Sequence, residues 1–90
     1  MNDKLFVYGV FLCPKWRDEY GMTNPRYATV RGYATIGNHI VHAVEDEKYT
    51  LTGLIVDVEP SMWEQIDYLE GAYDRIEIKT ARGDACYMYV

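Results

Sequence analysis

No stretch of this sequence stays apolar for the roughly 20 residues that a membrane-spanning helix needs, which excludes a helical span. Basic residues are scarce: nine Lys and Arg stand against fourteen Asp and Glu, a formal net charge of -5. Phosphate backbones are gripped by Lys and Arg, so no nucleic-acid partner is expected. The acid excess is too modest for a nucleic-acid mimic and mainly favours solubility. Cysteine is limited to Cys13 and Cys86. A disulfide between them can be drawn, but a pair of free thiols suits a reducing compartment better. Met1, Asn2, Asp3 and Lys4 lead straight into a strand-like segment, without the charged and then apolar regions of a secretory signal. A cytoplasmic location is therefore expected. Phosphate loop, zinc spacing and dinucleotide fingerprint are all missing, so neither metal nor cofactor is expected.

What is present suits a single folded domain over residues 1–90. The composition is 49% hydrophobic and 26% charged, far from the profile of a disordered chain. Two separate cores would leave each half too small to bury enough surface. Nine Tyr and two Trp supply large apolar bodies whose polar tips still reach water or a partner.

Lys4-Leu5-Phe6-Val7-Tyr8 reads as a first strand ended by Gly9. Residues 13–25 change to Pro, Trp, charged residues and Gly, a loop with one irregular helical turn over 15–20. Residues 28–33 alternate as a half-buried strand does, and Gly37-Asn38 predicts a tight turn into a partner strand over 39–44. Glu45-Asp46-Glu47-Lys48 reads as a solvated turn. Residues 49–58 give the cleanest strand, with Gly53 marking a bend or a close backbone approach. From Pro60 the period changes. Met62, Ile66 and Leu69, widened by Trp63, make an amphipathic helix with Pro60 at its first position and Gly71 as its C′ cap. Residues 73–80 and 85–90 alternate again around an Arg82-Gly83-Asp84 turn. The sum is an α+β fold: a small mixed or antiparallel β-barrel of about six strands with one central helix.

The order of these segments resembles the γ-glutamylcyclotransferase-like (AIG2-like) family. Leu5-Phe6-Val7-Tyr8-Gly9 is similar to the family's opening strand and its Tyr-Gly-Ser/Thr-Leu loop. Val30-Arg31-Gly32-Tyr33 and residues 51–58 are similar to its next strand and its Gly-containing central strand. Ile66-Asp67-Tyr68-Leu69-Glu70-Gly71 resembles the helix end Leu-Asp-x-Leu-Glu-Gly. Tyr73-Asp74-Arg75 matches Tyr-x-Arg, and Ala85-Cys86-Tyr87-Met88-Tyr89 resembles the closing strand. The chain departs from the pattern at Val10, where the family carries Ser or Thr, and at Phe11, where it carries Leu. It is also short for the family, which bears on how a pocket closes.

The resemblance implies an intramolecular aminolysis of a small γ-glutamyl compound, an amine or an amino acid derivative. The α-amine attacks its own γ-carbonyl, giving 5-oxoproline. Attacker and target are already tethered, so an enzyme need only hold the substrate bent and move protons. Glu70 is the expected catalytic acid and base. A helix C-terminus, the neighbouring Asp67 and burial would each raise its pKa. Tyr8, Gly9, Val10 and Phe11 form the expected substrate loop, whose backbone N–H groups would take the substrate carboxylate. Tyr73 would place a hydroxyl near the ligand. Arg75 points the same way and is as well suited to pairing with Asp67; Tyr87 and Tyr89 read as packing.

From the residues alone, Glu70 also reads as an ordinary exposed glutamate, and Tyr8 to Phe11 as a plain strand-to-loop turn. His39 and His42 point to opposite faces of a strand, so a shared metal is not expected. Cys13 has no neighbouring base to make it a nucleophile. A second reading stays open: a fold that binds a small molecule or a protein without turnover, for instance an inhibitory protein of viral origin. A homodimer stays open as well.

Overall fold

The computed structural model describes residues 3–37 and 41–90. Along the chain it contains β1 (Asp3–Val7), a 3₁₀ turn (Val10–Leu12), α1 (Pro14–Glu19), β2 (Thr23–Ile36), β3 (His42–Val58), a second 3₁₀ turn (Pro60–Met62), α2 (Trp63–Leu69), β4 (Arg75–Lys79) and β5 (Ala85–Tyr89). The five strands form one sheet in the order β2-β3-β1-β5-β4. All ladders are antiparallel except that between β1 and β5.

The α+β class is as expected, and three details differ. The expected third and fourth strands around the charged run are one strand. β3 carries on through Glu45 to Lys48, because pairing with β2 continues on both sides of the run. Arg31 faces Thr50 while Tyr33 faces Glu45, so residues 46–49 bulge out opposite Gly32 alone. Gly32 has φ 85, and the Lys48 N–H donates to Asp46 Oδ1 at 3.1 Å to close the bulge. The sheet also does not close into a barrel. Its outer strands β2 and β4 do not pair; beyond the end of β4, the Ala81 N–H reaches the Thr29 carbonyl at 2.8 Å. Finally, the helical turn expected over 15–20 is the short helix α1, and β2 begins at Thr23, two residues before Pro25. The ladder with β3 shifts register there, as a residue lacking an N–H requires. Of the expected turn at Gly37-Asn38, Gly37 has φ 103, while Asn38 and the first residues of the partner strand lie outside the described residues.

β1 sits at the centre and is apolar on both faces, which explains its uninterrupted Leu5-Phe6-Val7. Leu5 and Val7 join Val56, Val58, Trp63 and Ile66 beneath α2. Phe6 points the other way, into Val30, Leu51, Ile55 and Met88. Burying these side chains contributes on the order of 1.5–3 kcal/mol each before chain entropy is counted. α2 follows the expected stripe with one exception. Trp63 and Ile66 are buried, but Leu69 is 41% exposed. Trp63 also donates from Nε1 to Asp3 Oδ2 at 2.6 Å, tying the start of the helix to the start of β1. The helix ends at Leu69 as expected. Gly71 is not in the left-handed region, so it does not act as the expected cap; the chain turns instead through a Tyr73 N–H bond to the Glu70 carbonyl at 2.9 Å.

Gly53 confirms the close approach. A Cβ there would fall on the Val7 carbonyl oxygen and 2.8 Å from Phe6 Cζ. Backbone oxygen cannot yield as a flexible side chain can. Gly53→Ala is therefore expected to destabilise the fold by about 1–3 kcal/mol, read as a lower urea midpoint at unchanged m-value. An unchanged midpoint would contradict this packing.

Candidate active site

The parallel ladder of β1 and β5 brings the end of β1 beside the end of α2. Between them lies a cavity of about 580 Å³. Its floor is buried Phe6, Val7, Phe11 and Tyr89; its walls are Tyr8, Val41, Glu70 and Tyr73; its mouth is the exposed Gly9, Val10, Leu69 and Ala72. Every residue expected at the site thus lines one hollow. A larger, more polar depression of about 750 Å³ lies over Asp3, Lys4 and the β4–β5 ladder. It holds none of the expected residues and opens widely to solvent, so the smaller, drier cavity is the better candidate for chemistry.

Glu70 is fixed by backbone on both sides. Its N–H donates to the Ile66 carbonyl at 2.9 Å, and its own carbonyl accepts from Tyr73. Its carboxyl is half-buried, and this burial holds its pKa above the ordinary carboxylate range. The expected repulsion from Asp67 is not the cause. Asp67 is engaged elsewhere: it accepts the Tyr89 hydroxyl at 2.5 Å and lies 3.5 Å from Arg75 Nη2. Arg75 in turn stacks over Trp63 at 4.2 Å and Tyr87 at 5.1 Å, so it braces α2 against β5 rather than facing the cavity.

Tyr8 closes one wall. Its hydroxyl donates to the Tyr89 carbonyl at 2.6 Å and accepts the Ala43 N–H at 3.0 Å, joining β1 to β5 and β3. Burial pushes its pKa up to about 12, so it stays a neutral hydrogen-bonding group. The Tyr73 hydroxyl donates to the Val41 carbonyl at 2.9 Å, and its ring stacks on His42 at 4.3 Å. Burial, and then the nearby Glu70, raise its pKa as well. The oxygen of Tyr73 can still accept a hydrogen bond from a ligand.

The loop after β1 is a 3₁₀ turn whose N-cap, Gly9, offers no side-chain cap. Its bonds run from Leu12 N–H to the Gly9 carbonyl and from Cys13 N–H to the Val10 carbonyl. The Val10 and Phe11 N–H groups, at the start of the turn, have no acceptor among the described residues. The Phe11 side chain is core, edge-on to Tyr20 at 5.5 Å, while Val10 is 48% exposed at the mouth. Polar recognition by this loop therefore falls to backbone rather than side chains.

Sequence reasoning assigned Tyr89 to packing and passed over Val41, Leu69 and Ala72. The apolar ones carry no chemical signal, and the hydroxyl of Tyr89 finds its role only when β5 meets α2. Cys13 and Cys86 are free thiols, exposed and buried respectively. The pairing of His39 with His42 falls partly outside the described residues; among the described residues no cluster of His, Cys, Asp and Glu is arranged to hold a metal. No helix among them is long and apolar enough to cross a membrane.

A family model described as gamma-glutamyl cyclotransferase, AIG2-like, matches residues 5–90. No curated protein matches the chain in sequence. Solved structures do match in fold. One is a protein of Arabidopsis thaliana studied in solution (TM-score 0.83, 23% identity), covering 99% of this chain and 68% of that one. An uncharacterised protein of Pyrococcus horikoshii matches at TM-score 0.80 and 20% identity, over 97% of this chain and 75% of its own. A structure named gamma-glutamyl cyclotransferase matches at TM-score 0.83 and 16% identity, over 100% and 66%. At these identities the likeness is one of fold.

Burial of Glu70 sets a pH dependence. The folded protein keeps the Glu70 proton to a higher pH than the unfolded chain does. Its contribution to stability is therefore complete below the ordinary carboxylate range and is lost as pH rises through the folded titration. Glu70→Gln removes this loss. Urea titrations at a series of pH values are expected to show the wild type falling relative to the Gln variant as pH rises to neutrality. A difference that stays flat, or runs the other way, would contradict the burial of this carboxyl.

Proposed function

We propose, because the chain belongs to the gamma-glutamyl cyclotransferase, AIG2-like family, that its cavity cyclises a small γ-glutamyl compound to 5-oxoproline. The observation that carries this reading is one cavity lined both by Glu70 and by Gly9, Val10 and Phe11.

In this reading the substrate α-carboxylate lies against the free N–H groups of Val10 and Phe11. The α-ammonium then lies toward Glu70, which takes a proton and frees the nitrogen lone pair. That nitrogen attacks the γ-carbonyl carbon. A new C–N bond closes the five-membered ring, and the bond from the γ-carbon to the leaving nitrogen breaks. The two protons shed by the α-nitrogen depart with the leaving amine, and Glu70 carries them. No water is consumed. A carboxyl whose pKa is raised by burial is a better proton carrier near neutrality than an exposed one, since it can both accept and return. The apolar floor excludes water, and the Tyr8 and Tyr73 hydroxyls hold the walls.

A second reading rests on Val10. The family's hydroxyl is replaced there by an apolar side chain at the mouth, which favours a module that binds a γ-glutamyl ligand, or a protein partner, without turnover.

Assaying 5-oxoproline release from a panel of γ-glutamyl amines and amino acids separates the two. Wild-type protein is expected to release product, with kcat/KM falling as pH drops through the Glu70 titration. Glu70→Gln is expected to lose on the order of 10²–10⁴-fold in kcat. Undiminished activity in that variant would remove Glu70 from the mechanism. Ligand-induced melting shifts without product would favour the binding module.

A further inference from the structure

Between the 3₁₀ turn and β2 the chain contributes no residue to the cavity lining, yet it grips that turn by its carbonyls. Arg17, on α1, donates from Nη1 to the carbonyl of Phe11 at 3.0 Å and to that of Leu12 at 2.7 Å. Tyr20, at the end of the same helix, packs edge-on to the Phe11 ring. The helix is itself secured to the start of β2, where the Met22 N–H donates to the Arg17 carbonyl at 2.9 Å. The turn thus has its Phe11 and Leu12 carbonyls anchored by Arg17, while its Val10 and Phe11 N–H groups have no acceptor among the described residues.

We infer that Arg17 is the positioning residue of the ligand-binding loop: its two bonds to the Phe11 and Leu12 carbonyls hold the turn in the one conformation that presents the Val10 and Phe11 N–H groups to an anionic ligand. This rests on the proposed role of the loop as carboxylate binder. Arg17 touches no ligand. Its effect is large because Val10 and Phe11 have no polar side-chain atoms, so binding depends on the direction of two N–H vectors. A hydroxyl at position 10 could swing to follow a ligand, whereas a backbone amide points only where the turn aims it. A guanidinium fits because the two N–H bonds of Nη1, fixed in the guanidinium plane, meet adjacent carbonyls together, and charge-assisted bonds are roughly twice as strong as neutral ones. An ammonium offers the charge and the donors on a freely turning stem, without that fixed plane.

The test compares wild type with Arg17→Met, which keeps the aliphatic stem, and Arg17→Lys, which keeps the charge. Three readouts are needed: KM and kcat for a γ-glutamyl substrate, melting shifts with 5-oxoproline, and hydrogen exchange at the Leu12 and Cys13 amides, whose bonds define the turn. Arg17→Met is expected to raise KM and weaken 5-oxoproline binding by about 10-fold, the scale of one lost charge-assisted bond. Its kcat should stay near the wild-type value, and exchange at Leu12 and Cys13 should speed up. Arg17→Lys is expected to restore less than half of the lost affinity. Unchanged exchange and ligand affinity in Arg17→Met would overturn the inference, as would full rescue by Lys, which would make the effect one of charge alone. If the wild type binds 5-oxoproline but forms none from any substrate, catalysis fails as a reading while binding and exchange still decide the role of Arg17.

Discussion

The site depends on the hydroxyl of one tyrosine at the end of the central strand. Tyr8 donates to the Tyr89 carbonyl and accepts from the Ala43 N–H, so β1, β5 and β3 are held together where their ladders run out. Strands that diverge past their last ladder bond open a hollow, and a hollow between strand ends is where chain segments can present backbone to a ligand. The bridge keeps the hollow from spreading or collapsing. Behind it, Leu5 and Val7 are locked beneath α2 and Phe6 on the opposite face, so the strand delivering Tyr8 has little freedom. In front of it, the chain leaves β1 through Gly9 into the 3₁₀ turn. Glu70 arrives from the other side at the end of α2, whose own position is fixed by Trp63 against Asp3 and by the Asp67, Arg75 and Tyr89 cluster. Two independent anchors therefore face each other across one cavity.

The same dryness that suits this cavity to proton transfer works against the fold. A carboxyl half-removed from water costs free energy once ionised, and nothing in the Asp67 cluster offsets it, because that cluster neutralises its own charges. Tyr8 and Tyr73, whose pKa values are also raised by burial, stay protonated beside it. In the proposed function, reactivity and the destabilising term thus share one cause, the low polarity around Glu70.

Much of this was legible in the sequence, for reasons particular elements make clear. Leu5-Phe6-Val7 has no polar alternation because both faces are covered. Pro60 through Leu69 shows the helical period because one face is buried, and Gly53 stands where a carbonyl passes too close for any side chain. Glu70 and the loop from Tyr8 to Phe11 were found through a motif and through turn chemistry. What escaped was tertiary. The charged run at Glu45 to Lys48 has the composition of a turn and does turn, but as a bulge inside a strand whose partner keeps pairing beyond it. Whether the sheet closes depends on two edges meeting, which no local pattern encodes. Asp67 sits one helical turn from Glu70 and was expected to repel it; its partners Tyr89 and Arg75 come from other strands, and they redirect its charge. Arg17 lies in the one irregular helical turn expected within a loop, and its bonds to two carbonyls leave no trace in periodicity.

The central claim is that the Glu70 carboxyl and the Val10 and Phe11 amides act on one ligand in one cavity. An NMR titration with 5-oxoproline tests it most directly, following the backbone amides of residues 9–11 and the side-chain carboxyl carbon of Glu70 in the same samples. The expected result is that both sets shift along one binding curve with a single dissociation constant. Shifts confined to one set, or two curves saturating at different concentrations, would contradict a shared site.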